Sequence, residues 1–126
     1  MNENAKREVL REAKILEVLK HPNIIGFRDV YKTKNGKMSI VMDYADGGDL
    51  HGMIKKKKLQ GELWNEDHIL NWFTQICLAL KHIHDRKIMH RDLKSHNVFL
   101  TKNGVIKLGD FGVAKVFNST ISKALS

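Results

Sequence analysis

Apolar positions recur at helical spacing in two stretches of this chain. Over residues 3–20, Val9, Ala13, Leu16 and the stem of Lys20 share one side, with Ile15 and Leu19 beside them. That spacing predicts an amphipathic helix. His21-Pro22-Asn23 ends it, because a residue before proline is pushed out of the helical region. Farther on, Ile69, Phe73, Ile76, Leu80 and Ile83 recur at intervals of 4, 3, 4 and 3 residues, a stripe on one helix face. Asn65 suits the N-cap of that helix, and Glu66 and Asp67 suit the positive end of its dipole. Cys77 lies beside the stripe and reads as inert core rather than a reactive thiol.

Between and after these stretches the pattern shortens. Strand-like runs at 25–31 and 38–43 flank Asn35-Gly36, and runs at 98–100 and 105–108 flank Asn103-Gly104. Asn-Gly between two apolar runs is a hairpin signal. Gly47-Gly48 breaks the chain, and Asp49 can cap a short helix running through Ile54 into the lysines at 55–58. The order is helix, hairpin, helices, hairpin and a polar tail. This is an α+β arrangement, not a repeating βαβ one. No internal repeat, low-complexity stretch or interdomain linker is seen.

Composition narrows the function classes. Of 126 residues, 42% are apolar and 29% charged, the balance of a folded protein rather than a disordered one. No apolar run approaches the ~18 residues of a membrane span, and the polar start is no secretory signal. A single cysteine makes no internal disulfide, which points to a reducing, cytoplasmic location. The net charge of +8 raises the question of a polyanion partner. However, the basic residues are scattered, and the lysine run reads as a solvated face. No basic stripe interleaved with aromatics supports nucleic-acid binding. Neither nucleic acid nor membrane is an expected partner. His82 and His84, two apart on a helix, point to different faces and make a poor metal site with Cys77.

The chemistry gathers in the last third. His90-Arg91-Asp92-Leu93-Lys94-Ser95-His96-Asn97 is followed, thirteen residues after Asn97, by Asp110-Phe111-Gly112. The pair resembles the catalytic loop and metal-binding motif of the eukaryotic protein kinases. The resemblance implies ATP and Mg2+ as cofactors and protein serine or threonine hydroxyls as acceptors. It makes Asp92 the group that orients the hydroxyl and takes its proton late. Asn97 and Asp110 become Mg2+ ligands through hard oxygens. Lys94, two residues after Asp92, lies near the transferring phosphoryl group and marks the serine/threonine pattern. Arg91 becomes a partner for a phosphate on the activation segment.

The resemblance extends along the chain. Glu12, nine positions before His21, takes the place of the helix-C glutamate that pairs with a strand-3 lysine. The run 40–45 resembles strand 5 and the hinge. Met42 becomes the gatekeeper, the backbones of Asp43 and Ala45 face adenine, Asp49 approaches the ribose, and Phe99 forms the adenine floor. Leu16, Phe27, His90 and Phe111 become the regulatory spine. Val41-Met42-Asp43-Tyr44, Gly47-Gly48-Asp49-Leu50, Trp72-Phe73, the run 75–80 and Asn97-Val98-Phe99-Leu100-Thr101 resemble the NIMA-related (Nek) kinases most nearly. That subfamily implies cytoskeletal or cell-cycle partners and a cytoskeletal, centrosomal or ciliary location. The implied fold is a partial kinase domain over 1–126: helix C, strands four and five, the hinge, helices D and E, the catalytic loop, strands seven and eight, and the start of the activation segment. Ser126 falls near the subfamily's activating phosphosite.

Several family parts have no counterpart in these residues. No Gly-x-Gly-x-x-Gly loop or strand-3 lysine precedes Glu12, and no Ala-Pro-Glu follows Gly112. The expectation is a kinase segment with little turnover alone, because losing positioning and charge-stabilising groups costs on the order of 10²–10³ in rate each. The alternative is a truncated kinase acting as a non-catalytic binding or regulatory protein.

Overall fold

The computed structural model describes residues 3–109 and the backbone of residues 115–116. Helix α1 (Glu3–Val18) leads into the hairpin β1 (Phe27–Lys32) and β2 (Met38–Met42). Helices α2 (Leu50–Leu59) and α3 (Glu66–Asp85) follow. Strand β3 (Ile88–Met89), a 3-10 turn (Ser95–Asn97), β4 (Val98–Leu100), β5 (Ile106–Leu108) and β6 (Lys115–Val116) complete the order. The sheets are two-stranded and antiparallel: β1 with β2, β3 with β6, β4 with β5. The α+β expectation is met.

Helix α1 stops two residues short of the expected Lys20. The Leu19 N–H still reaches the carbonyls of Ile15 and Leu16 at 3.2 Å. Past it, Pro22 forbids another turn. The His21 ring takes over: its Nδ1 accepts the Asn23 N–H at 3.0 Å.

Both hairpins turn on the same tetrapeptide, Thr-Lys-Asn-Gly, at 33–36 and 101–104. In each, the glycine N–H donates to the threonine carbonyl at 3.0 Å, and the threonine N–H donates to residue five of the loop, at 2.7 Å for Lys37 and 2.9 Å for Val105. The threonine hydroxyl accepts the N–H of that fifth residue at 3.1 Å in both. Gly36 and Gly104 carry positive φ, 78° and 80°, whereas Asn35 and Asn103 do not. These are type I turns closed by a left-handed glycine, the longer hairpin form rather than the two-residue one.

The core lies between α1, α3 and the β4–β5 hairpin. Ile15, Leu16, Leu19, Ile24, Ala79, Ile83, Ile88, Val98, Leu100, Ile106 and Leu108 are buried together. The segment after α1 lies along the far edge of β5: Leu108 donates to the Asn23 carbonyl at 2.8 Å, and Ile25 donates back to Leu108 at 2.9 Å. That edge leaves Ile106 needing partners. Gln75, from α3, accepts the Ile106 N–H at 2.7 Å and the Asn23 side-chain amide at 2.9 Å. The same Asn23 amide donates to the Ile106 carbonyl at 3.0 Å. One glutamine therefore joins three chain segments that are far apart in sequence.

The helix-α3 stripe is only half right. Ile76, Leu80 and Ile83 face the core, but Ile69 and Phe73 are 47% and 63% exposed. The buried face instead runs through Trp72, Ile76, Ala79 and Ile83, because β3 and β5 pack on that side of the helix. Cys77 is exposed, which corrects its reading as core. One residue past Ile76, it is turned about 100° from the buried face. Helix caps follow expectation. Asn65 accepts the Asp67 N–H at 2.8 Å, and Asp49 accepts the Gly52 N–H at 2.7 Å. Lys56, Lys57 and Lys58 fill the last turn of α2, where cations offset the helix dipole. Lys57 also pairs with Glu62 at 2.9 Å and lies over the Trp64 ring at 5.1 Å. No helix among the described residues is long and apolar enough to cross a membrane.

Two predictions arise here. Gln75→Ala strips the Ile106 N–H and the Asn23 amide of an acceptor, and should lower urea-melt stability by about 1–3 kcal/mol. The second concerns His21 and His82, whose rings lie 4.9 Å apart. Burial, then the Arg86 cation and, for His21, Lys107, hold both below the ordinary 6.5. The unfolded chain therefore takes these protons first. Their contribution is complete above pH 6.5 and is lost as pH falls through the lowered folded values. The melting temperature should fall between pH 7.5 and pH 5, and His82→Gln should shrink that fall.

Candidate active site

A cleft of about 370 Å³ opens between α1, the β1–β2 hairpin and the β4–β5 hairpin. Glu12, Ile25, Met42, Asp43, Tyr44, Ala45, Asn97, Phe99 and Gly109 line it. The strands set the order of these groups. Val98 and Leu100 point into the core, so Phe99 between them faces the cleft. The Asp43 N–H donates to the Gly26 carbonyl at 2.8 Å, and its carboxylate is ion-paired with Arg28. Among the described residues the Asp43 carbonyl and the Ala45 N–H have no hydrogen-bond partner. One acceptor and one donor, two residues apart, thus border a slot whose apolar walls are Ile25, Met42 and Phe99. Gly109 is needed for space: a Cβ there would meet the Phe99 ring at 2.8 Å and Ile25 at 3.2 Å.

Two of the lining residues, Asn97 and Gly109, belong to a closed ring of hydrogen bonds. His90 is 2% exposed. Its Nδ1 accepts the Asp92 N–H at 3.1 Å, so the proton resides on Nε2, which donates to the Gly109 carbonyl at 2.7 Å. The Gly109 N–H donates to the Asn97 carbonyl at 2.9 Å. The Asn97 side-chain nitrogen donates to the Asp92 carbonyl at 2.7 Å and to Asp92 Oδ2 at 3.2 Å. Both neighbours are acceptors, which fixes the orientation of the amide. Lys94 Nζ lies 3.6 Å from Asp92 Oδ1. Between His90 and Asp92, Arg91 adopts a φ of 67°, one of two positive values at non-glycine residues among those described. Such a residue is strained and is held by its surroundings.

Residues 1–125 match the protein kinase domain. The chain belongs to the protein kinase family. Its fold is accordingly the kinase-like α+β one, with small antiparallel sheets among helices. It is 53% identical over 124 residues to the serine/threonine-protein kinase Nek1 of Mus musculus, covering 98% of this chain and 10% of that protein. It is 52% identical to Nek5 of Homo sapiens, covering 97% of this chain and 16% of that protein. It is 53% identical over 114 residues to Nek3 of Mus musculus, covering 90% of this chain and 22% of that protein. The Nek resemblance is thereby shown, and the chain spans about a tenth to a fifth of the length of these relatives.

Within this kinase chain, Glu12, Met42, Asp43, Ala45, Asn97 and Phe99 come together around one cleft. Asp92 and Lys94 are not among the lining residues: Asp92 is joined to the cleft by its bonds to Asn97, and Lys94 lies against Asp92. Asp49 is not among the lining residues: it caps α2, and its backbone bridges to Phe99. Arg91 is exposed, one residue from Asp92. Asp110, Phe111 and Ser126 lie outside the described residues. Sequence reasoning passed over Ile25, Tyr44 and Gly109 as lining groups. Gly109, a glycine directly before Asp110, was the available signal. Gly109→Ala should force the Phe99 ring aside and cost about 1–3 kcal/mol in a denaturant melt, with loss of cleft volume visible in a crystal structure of the variant.

Proposed function

We propose that this chain supplies the adenine-facing and hydroxyl-facing groups of a serine/threonine protein kinase, which moves the γ-phosphoryl group of ATP to serine or threonine hydroxyls of proteins. The observation that carries the reading is the ring linking His90, Asp92, Asn97 and Gly109, of which Asn97 and Gly109 line the cleft.

The residues present suit both cofactors. An adenine ring needs a flat apolar slot with one acceptor and one donor on its edge. Ile25, Met42 and Phe99 supply the slot, and the Asp43 carbonyl and Ala45 N–H supply the edge. Met42 is the gatekeeper in this reading, and the Asp49 carboxylate oxygen not engaged in capping α2 is the one assigned to the ribose. Mg2+ prefers hard oxygens. Because the Asn97 nitrogen is committed to Asp92, its carboxamide oxygen is left as a donor, and Asp110 adds a second. When bound, Mg-ATP supplies the phosphoryl group and most of the charge neutralisation.

The chain's own groups do the rest. Asn97 holds the Asp92 carboxylate by Oδ2, leaving Oδ1 to accept a hydrogen bond from the acceptor hydroxyl and to take its proton late. Lys94, 3.6 Å from that oxygen, places a cation where negative charge develops. Glu12, at the back of the cleft, pairs with the strand-3 lysine, and Arg91 receives a phosphate carried on the following segment, for which Ser126 is the proposed site. A cytoplasmic location and cytoskeletal or cell-cycle partners belong to the same reading, on the Nek resemblance.

The phosphate loop and strand-3 lysine have no counterpart in these 126 residues. Turnover is therefore measured in a chimaera that takes them, and the helices after the activation segment, from a Nek relative. It should phosphorylate serine-containing protein in the presence of Mg2+ and ATP. Asp92→Asn should lower the rate by about 10²–10⁴-fold, the range of a lost general base, with ATP affinity retained. A chimaera in which Asp92→Asn transfers phosphate at the unmutated rate would overturn the assignment.

A further inference from the structure

The two hairpin loops share the tetrapeptide Thr-Lys-Asn-Gly and the same hydrogen bonds within the turn. They differ in one contact outside it. The Lys102 N–H donates to Asp46 Oδ1 at 2.8 Å, across 56 residues of chain. Its counterpart, the Lys34 N–H, has no hydrogen-bond partner among the described residues. We propose that Asp46 is a positioning residue for the nucleotide. It latches the chain that carries the polar edge of the cleft to the hairpin that carries Phe99, and so sets how tightly adenine is held. The inference rests on the kinase reading of the cleft and adds to it a residue that does not line the cleft.

Three features support it. First, residues 46–49 form an added edge on β4. The Gly47 N–H donates to the Leu100 carbonyl at 2.7 Å, the Leu100 N–H donates to the Gly48 carbonyl at 2.8 Å, and Asp49 bridges to Phe99. Asp46 closes this ladder at its start, one residue after Ala45. Second, the approach is close enough to require a glycine. A Cβ on Gly47 would meet the Leu100 carbonyl oxygen at 2.7 Å and that of Thr101 at 2.9 Å, and backbone atoms cannot swing aside. Third, the polar edge is tied at its other end to the opposite strand of the same hairpin. The Asp43 N–H donates to the Gly26 carbonyl at 2.8 Å, and the neighbouring Ile25 N–H donates to Leu108 of β5 at 2.9 Å.

Residues 43–46 therefore span the hairpin from the β5 side to the β4 side, clamped at both ends. The Asp43 carbonyl and the Ala45 N–H lie between the clamps, and Phe99 lies on the strand that both clamps serve. Releasing the Asp46 end lets the span turn about the Asp43 end, which changes the distance from the Ala45 N–H to the Phe99 ring. Asp46 is exposed, so its one hydrogen bond is a small part of the folding stability. It is a larger part of the preference for one edge geometry. The polar edge holds adenine equally before and during phosphoryl transfer. Loss of such uniform binding raises KM and leaves kcat unchanged.

Steady-state kinetics of the chimaera described above, which holds all 126 residues, test this. Asp46→Ala should raise the KM for ATP about three- to tenfold, the size of one lost hydrogen bond, with kcat unchanged. Asp46→Asn keeps a side-chain oxygen on the Lys102 N–H and should restore the parent KM. Lys102→Pro removes the donor instead. Proline suits the second position of a type I turn, so the hairpin is kept and the melting temperature should not fall. Its KM should match that of Asp46→Ala, and the double variant should be no worse than either. Lys34→Pro, the same change in the twin loop, should leave KM unchanged. A parent KM in Asp46→Ala and Lys102→Pro, or additive effects in the double variant, overturns the latch and leaves the kinase reading intact. A parent chimaera with no affinity for ATP overturns the kinase reading, and the latch with it. Should either single variant lose its fold by circular dichroism, the other decides.

Discussion

The Asn97 side-chain amide donates to both the carbonyl and the carboxylate of Asp92, while the Asn97 backbone takes the Gly109 N–H and gives its own N–H to Lys94. A residue only 5% exposed thus ties the loop before it to the strand end after β5. A buried amide with this many partners is stable only while all are in place, since each unsatisfied group carries a desolvation cost of about 1–3 kcal/mol. The members of this ring therefore hold one another in place. His90 closes the same ring from the other side, which accounts for a polar side chain buried among apolar ones.

The parts of this arrangement that a sequence can express locally were legible in it. Residues 90–97 and 110–112 carry a motif whose spacing marks the chemistry, and Met42, Asp43, Ala45 and Phe99 followed by resemblance. The hairpins were announced by Asn-Gly, and the caps by Asn65 and Asp49. What was not legible is set by distance in the chain. Gln75 is an ordinary polar residue on a helix until β5 and Asn23, from opposite ends of the chain, are brought against it. The apolar stripe of α3 could not reveal which side of the helix would meet β3 and β5. The exposed Cys77 is a consequence of the same choice of face. Asp49 shows the converse limit. One carboxylate suits both a cap and a ribose contact, and in this structure its Oδ1 is engaged as the cap.

Part of the basic complement behind the charge of +8 is engaged locally. The α2 lysines lie at the negative end of their helix, with Lys57 shared between Glu62 and Trp64. Lys107 donates to the Pro22 carbonyl at 2.6 Å, and Arg86 donates to the His82 carbonyl at 2.9 Å. Lys107 and Arg86 also help to hold His21 neutral. These five of the 22 basic residues are therefore engaged at a helix end, a carboxylate, an aromatic ring or a carbonyl.

The β4–β5 hairpin converts core packing into site geometry. Strands of three residues are too short to persist alone. They are held because Val98, Leu100, Ile106 and Leu108 are all buried, at 3%, 1%, 0% and 0% exposure. Asn97 immediately precedes the first of these strands and Gly109 immediately follows the second. The pairing of Val98 with Leu108 sets them side by side. Phe99, of opposite parity, is turned into the cleft by the same alternation. A register shift of one residue would exchange the two faces, placing Phe99 in the core and separating Asn97 from Gly109. The apolar residues that never touch the cleft are thus what fix the polar groups that border it.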